Sequence, residues 1–177
     1  AGSLFHELLP LCHLGSGSSS MVRLSQHTVT AKFYAVKTTA SFVGSATRAQ
    51  VLRELQVLRG SESRHITQLY EAHFDEGQIH LILEWMSVGS LNTVLQQDAP
   101  VPPYALGGIF CQALRGLTYL HTVRQVMHRD LKPANILLNV FGDVRLADLG
   151  LATDHLSSTS TSSRAACTRR VGEHSSR

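Results

Sequence analysis

The stretch that decides the fold reads Val126-Met127-His128-Arg129-Asp130-Leu131-Lys132-Pro133-Ala134-Asn135-Ile136-Leu137-Leu138, within a chain of 177 residues. It places an acidic side chain (Asp130), a basic one (Lys132) and an amide (Asn135) between two apolar segments. Two short apolar runs, over 135–140 and 144–147, come at its end and just after it, and Phe141-Gly142-Asp143 between them predicts a tight hairpin connection. Asp148-Leu149-Gly150 comes next. The 18 residues from Asp130 to Asp148 leave room for a loop and one hairpin.

Two features upstream suggest a phosphate site. The segment Leu14-Gly15-Ser16-Gly17-Ser18-Ser19-Ser20-Met21-Val22 is rich in glycine, which lets a backbone approach phosphate closely, although a simple Gly/Ser-rich hairpin or linker is an alternative. Lys37 ends a predicted strand, and Glu54 lies on a helix predicted over 46–58 from the spacing of Val51, Leu52, Leu55 and Leu58. A flexible lysine ammonium needs a carboxylate partner to be fixed, although both side chains could instead face water.

Together these stretches resemble the protein kinases of serine/threonine type. The loop matches H-R-D-L-K-P-x-N at every defining position, while Leu149 replaces the Phe of D-F-G and Ser20 the third glycine of G-x-G-x-x-G-x-V. The resemblance implies an α+β, two-lobed fold, with a β-rich N-lobe carrying an αC helix and an incomplete, mainly helical C-lobe. The expected boundaries are 1–86 for the N-lobe and hinge, 87–153 for the partial C-lobe, and 154–177 for a Ser/Arg-rich tail like an activation segment.

The resemblance also implies the site and its cofactors, ATP and Mg²⁺. Asp130 would accept or orient the proton of the substrate hydroxyl, Lys132 would neutralise charge on the transferring phosphate, and Lys37 with Glu54 would hold the nucleotide. Asn135 and Asp148 would bind the metal. The expected nucleotide contacts are Leu14, Gly15, Ser16, Gly17, Val22, Ala35, Lys37, Leu83, Glu84, Met86 and Leu137.

Within that set, the backbone of Glu84 and Met86 is expected to bind the adenine edge. Leu83 resembles the gatekeeper and is expected to be the last residue of its strand. Each of the apolar members could equally be simple core. His128 is expected to pack rather than to act as a base.

Residues 69–91, with Leu83-Glu84-Trp85-Met86 among them, are most similar to the MAP kinase kinases. That similarity implies dual-specificity phosphorylation of a MAP kinase and activation by an upstream kinase. One alternative is a truncated, non-catalytic kinase-like module that binds nucleotide or a partner. A small-molecule kinase is disfavoured by Lys132.

The composition sets further limits. With a net charge of +3 there is no argument for nucleic acid, and with no apolar run of 18 residues there is none for a membrane span. Cys12, Cys111 and Cys167 are far apart and lack C-x-x-C spacing, which favours reduced thiols and a cytoplasmic location.

The second half of the chain raises the question of catalytic activity. Leu106, Phe110, Ala113, Leu117 and Leu120 predict a helix from about 104 to 123, with Ile109 and Leu114 off the stripe. No A-P-E motif follows; instead residues 157–163 and Thr168 offer phospho-acceptors in a low-complexity tail. We therefore expect an exposed apolar patch, poor solubility, and little or no kinase activity from the chain alone.

Overall fold

The computed structural model describes residues 2–17, 20–40, 45–97 and 100–154. The greater part of the Ser/Arg-rich tail, with its expected phospho-acceptors, lies outside the described residues. Cys167 lies outside them too.

The first part of the chain is an antiparallel sheet with one helix against it. Its strands are β1 (Leu8–Ser16), β2 (Ser20–His27), β3 (Phe33–Ala40), β4 (Leu69–Asp75) and β5 (Gln78–Glu84), in the order β1-β2-β3-β5-β4. Helix α1 (Ser45–Leu58) lies between β3 and β4 in sequence. Alternation along β3 gives the sheet two apolar faces. Tyr34 and Val36 pack under the 3-10 turn Leu4–Glu7, whereas Ala35 faces the main core.

The second part is built from short strands and helices. It comprises β6 (Gly89–Ser90), α2 (Leu91–Leu95), α3 (Pro103–Thr122), β7 (Val126–Met127), β8 (Ile136–Leu138), β9 (Val144–Leu146) and β10 (Thr153–Asp154). The strands form two small sheets, β6-β8-β9 and β10-β7. The predicted hairpin is present but its connection is longer, because Asn139 Oδ1 accepts the N–H groups of Phe141 and Asp143 and so begins the turn at residue 139.

The two parts are joined where the segment after α1 meets β9. Ile66 forms a parallel bridge with Leu146, and the Leu146 N–H donates to the carbonyl of His65 at 2.9 Å. The N–H and hydroxyl of Thr67 both donate to the Leu146 carbonyl at 3.0 Å. These bonds fix the segment that follows α1 to β9, and β9 leads directly into Asp148.

The predicted apolar stripe of α3 is partly wrong. The buried face runs through Ile109, Ala113, Gly116 and Leu120, and Phe110 is 51% exposed. The helix is apolar on several sides, so only its packing against β9 selects the inward face. Leu114 is 61% exposed, as expected for an uncovered apolar patch, but Ile109, which was expected in the same patch, is buried because it faces the core.

Two smaller expectations are also wrong. Leu52 faces outward on α1 at 47% exposure, while Glu54 is buried in its place because it has a cationic partner. Strand β5 ends at Glu84 rather than Leu83, since Glu84 still pairs with Tyr34 of β3. Among the described helices, none combines the length and apolar character needed to cross a membrane.

Candidate active site

A cleft of about 300 Å³ lies between the sheet, α1 and the loop after β7. It brings six of the predicted site residues together from segments far apart in sequence: Gly17, Lys37, Glu54, Asp130, Lys132 and Asp148. Thr39, Gln50 and Val51 also line it, and the sequence interpretation missed all three. The alternation of β3 and the helical spacing of α1 could have placed them beside Lys37 and Glu54.

Lys37 is the centre of the cleft's charge network. Its Nζ donates to the two carboxylate oxygens of Glu54 at 2.9 and 2.8 Å, and to Oδ1 of Asp148 at 3.1 Å. Burial by itself lowers the pKa of Lys37, but the two carboxylates outweigh it and hold that pKa above its ordinary value. Lys37 is therefore a fixed cation within the cleft, and it does not face bulk water.

Glu54 is the buried member of this network, at 3% exposure. Burial raises the pKa of its carboxyl group, and the Lys37 ammonium opposes that rise. A carboxylate buried to this degree would be costly without a cation beside it. Its position on α1 consequently depends on Lys37, and the reach of Lys37 depends in turn on where α1 lies.

The loop after β7 holds an acid in an ionised state. Lys132 Nζ donates to Oδ2 of Asp130 at 2.7 Å, and Asn135 Nδ2 donates to the same oxygen at 3.1 Å. The hydrogen bond from Lys132, with that from Asn135, lowers the pKa of Asp130 below its ordinary value. Arg129, immediately before it, has φ of 62°, a left-handed conformation that is rare for a long side chain and concentrates at functional sites.

His128 anchors the loop after β7 through contacts of both of its ring nitrogens. It is 2% exposed, as expected for a packing residue. Its Nε2 lies 3.1 Å from the Ala147 carbonyl, and its Nδ1 accepts the Asp130 N–H at 3.4 Å. Both contacts are satisfied by one neutral tautomer, and burial lowers the pKa of His128.

The turn that follows β9 places Asp148 in the cleft. Asp148 has φ of 60°, and this left-handed turn leaves its side chain 48% exposed while Leu149 is fully buried in the core. Leu149 thus fills an apolar position in which the resembling motif has Phe. Gly150 lies close to α1, where an added Cβ would be 3.7 Å from the backbone oxygen of Gln50.

The donor set fits Mg²⁺ bound together with phosphate. Asn135 contacts Asp130 only through Nδ2, 2.8 Å from its backbone oxygen and 3.1 Å from Oδ2, so the amide Oδ1 keeps its lone pairs for a cation. Asp148 offers a carboxylate on the cleft side. The described part of the chain holds no group of three or more His, Cys, Asp or Glu side chains at metal-binding distance. Magnesium bound mainly through phosphate and water needs only one or two protein carboxylates.

The expected adenine contacts lie beside this cleft and do not line it. Val22 pairs with Lys37, and Ala35 pairs with Leu83, so these four residues point to one face of the sheet. Gly15 pairs with Val22 at the glycine-rich turn, which Gly17 closes by donating its N–H to the Ser20 carbonyl at 2.8 Å. The remaining expected contacts differ in exposure: Leu14 is 47% exposed, Met86 is 5% exposed, and Leu137 is partly buried in β8.

An ion pair at the end of β5 was not anticipated. Arg145 of β9 donates Nε–H and Nη2–H to the two carboxylate oxygens of Glu84 at 2.8 and 3.0 Å. It also donates to the Arg64 carbonyl. The period of β9 puts Arg145 on the face opposite Val144 and Leu146, but no local pattern identifies a partner 61 residues away.

Comparison with known proteins agrees with this geometry. The family model described as protein kinase domain matches residues 10–171. Mitogen-activated protein kinase kinase 2 of Arabidopsis thaliana is 40% identical over 140 residues, which is 79% of this chain and 39% of the relative. The dual specificity mitogen-activated protein kinase kinase dSOR1 of Drosophila melanogaster is 36% identical over 156 residues, 88% of this chain and 39% of the relative.

A third relative gives the same picture. Dual specificity mitogen-activated protein kinase kinase 1 of Dictyostelium discoideum is 35% identical over 139 residues, 78% of this chain and 21% of the relative. The chain therefore belongs to the protein kinase family. The resemblance to the MAP kinase kinases is confirmed, and the chain spans about two fifths of the length of the first two relatives named.

Proposed function

We propose that this chain carries the ATP site and phosphoryl-transfer residues of a protein kinase that phosphorylates Ser or Thr, with dual specificity towards a mitogen-activated protein kinase. The observation that carries the proposal is the contact of Lys37 with both Glu54 and Asp148. It places one fixed cation between an α1 carboxylate and a candidate metal ligand. Such a cation is suited to the oxygens of a polyphosphate.

Each residue has a part that follows from its contacts. Bound MgATP would supply the phosphoryl group, and its Mg²⁺ would neutralise part of the phosphate charge. Lys37 would hold the nucleotide phosphates, while Asn135 and Asp148 offer oxygens to the metal. Asp130, kept ionised by Lys132, would orient the substrate hydroxyl and take its proton.

The apolar side of the site would hold the base. Val22, Ala35 and Leu83 share the sheet face that carries Lys37, so a purine packed there would direct its phosphates towards the lysine. The expected adenine edge contacts are the Glu84 carbonyl and the Met86 N–H. An upstream activating kinase and a cytoplasmic setting belong to the same proposal, the latter because Cys12 and Cys111 are free thiols.

Nucleotide binding is the direct test. We expect the chain to bind ATP with Mg²⁺, and Lys37→Met and Asp148→Ala each to weaken binding by about tenfold or more, because each removes a charged contact. Lys32→Met is the matched control, since Lys32 contacts Tyr70 and not the cleft. Binding that both cleft substitutions leave unchanged would overturn the site assignment.

Transfer is measured separately, with an inactive mitogen-activated protein kinase as acceptor. The sequence-based expectation for the 177-residue chain is little or no transfer. Robust transfer that Asp130→Asn abolishes would contradict that expectation and would establish the role of Asp130. Binding without transfer would leave the nucleotide-binding module as the alternative function.

A further inference from the structure

The C-terminal end of α1 is completed by a residue from a distant part of the chain. The last turn of a helix leaves carbonyl groups without partners inside the helix. Here the Leu55 carbonyl accepts from the N–H of Arg59 at 2.8 Å, and the Leu58 carbonyl from the N–H of Ser61 at 3.1 Å. The Ser61 hydroxyl donates to the Val57 carbonyl.

Arg124 satisfies the carbonyls that remain. Its Nη2 donates to the carbonyls of Gln56 at 2.8 Å and Arg59 at 3.1 Å, and its Nη1 to that of Gly60 at 3.4 Å. No basic residue of α1 lies in its own last turn. A guanidinium suits this place because its planar fork serves several acceptors and its charge complements the negative end of the helix.

Arg124 is itself well anchored. It follows α3, whose Tyr119 carbonyl accepts the N–H of Arg124 at 3.2 Å. The Tyr119 hydroxyl meanwhile accepts the N–H of Glu62 at 3.0 Å, just beyond the end of α1. The end of α3 therefore contacts the C-terminal end of α1. Gly150, in the turn after Asp148, lies close to Gln50 in the first half of the same helix.

We propose that Arg124 is a positioning residue for the nucleotide lysine: by capping α1 it holds Glu54 where the Glu54 carboxylate meets Lys37. Glu54 precedes Gln56, whose carbonyl Arg124 binds, by half a turn of the same helix. A shift of the helix end is thus passed to Glu54 directly. This inference rests on the proposed function, because it assigns Arg124 to the phosphate side of the same site.

The inference distinguishes two ligands. ATP needs the phosphate grip of Lys37, whereas adenosine needs only the base site beside it. Arg124→Leu should weaken ATP binding by about five- to tenfold, because the weakened Lys37–Glu54 contact loses part of the free energy of a charged hydrogen bond. It should leave the affinity for adenosine within about twofold of the wild-type value. Arg124→Lys, which keeps the charge but loses the fork, should lie between the wild type and Arg124→Leu.

The experiment measures the affinities of the 177-residue chain for ATP and for adenosine by calorimetry, with Arg115→Leu as the control. Arg115 lies exposed on α3, and among the described residues no hydrogen bond joins it to α1. In the double variant with Glu54→Gln, loss of Arg124 should add nothing to the loss that Glu54→Gln causes alone.

Each other outcome has a defined meaning. Equal losses of ATP and adenosine affinity, or an unchanged ATP affinity, would overturn the inference and leave Arg124 as a structural cap. If Arg124→Leu does not fold, the ATP-to-adenosine affinity ratio of Arg124→Lys decides in the same way. An ATP affinity that Glu54→Gln leaves unchanged would instead contradict the proposed function.

Discussion

Gly116 provides the sharpest test of how α3 packs, because an added methyl group has nowhere to go. A Cβ at this position would lie 2.9 Å from the backbone oxygen of His65, 2.9 Å from Cδ1 of Leu146 and 3.1 Å from Cγ of Leu146. The His65 carbonyl cannot move freely, since it accepts the Leu146 N–H. Overpacking costs about 3 kcal/mol when a neighbour is rigid, and alanine returns about 1 kcal/mol of helix propensity. We expect Gly116→Ala to lower the free energy of unfolding by about 2 kcal/mol.

Two other glycines of the same helix are matched controls. A Cβ at Gly107 or Gly108 would meet nothing within 4 Å. Each alanine there should raise the free energy of unfolding by about 0.5–1 kcal/mol, because alanine loses less backbone entropy on folding than glycine. The assay is urea denaturation followed by circular dichroism. A Gly116→Ala chain as stable as the wild type would refute the close packing of α3 on His65 and Leu146.

Two further predictions concern ionisable groups. Arg145→Leu should cost about 2–3 kcal/mol of unfolding free energy, because the pair with Glu84 is mostly buried, with side chains 13% and 21% exposed, although water still reaches it. The free energy of unfolding should also fall as pH is lowered through the ordinary histidine pKa. Burial depresses the pKa of His128 in the folded state, so the unfolded chain binds the proton more readily. The measurements are denaturation midpoints at neutral pH for the first and across pH 5–8 for the second.

Controls separate these effects from general destabilisation. For the ion pair, a cycle with Glu84→Gln should give a coupling energy of about 1–3 kcal/mol, and a coupling near zero would mean that the pair contributes nothing. For the histidine, His128→Gln cannot titrate, so its stability should depend less steeply on pH. Equal pH slopes for the variant and the wild type would contradict the assignment to His128.

The sequence predicted the parts of the site that are local. The loop from His128 to Asn135 is continuous, and its polar residues need only one turn to converge. The resemblance to the protein kinases, and no local period, singled out Lys37 and Glu54 as a pair. That loop can be predicted from spacing because its residues are near neighbours along the chain.

What the sequence did not predict depends on contacts between distant segments. Phe110 and Ile109 are equally apolar, and only β9 determines which of them is buried. Arg124 caps a helix that ends well over 60 residues earlier, and no residue near either end indicates the pairing. Leu52 shares the apolar spacing of α1, yet Glu54 is the residue that is buried, because its cation, Lys37, comes from another element.

The central claim is that one cleft holds a nucleotide through a fixed lysine and a metal carried by Asp148 and Asn135. Calorimetric titration of the 177-residue chain with ATP, with and without Mg²⁺, tests it most directly. The account predicts one ATP per chain, bound more tightly with Mg²⁺, and predicts that Asp148→Ala removes the effect of Mg²⁺ but leaves adenosine binding intact. ATP binding that is absent, or that Mg²⁺ and Asp148→Ala leave unchanged, would contradict it.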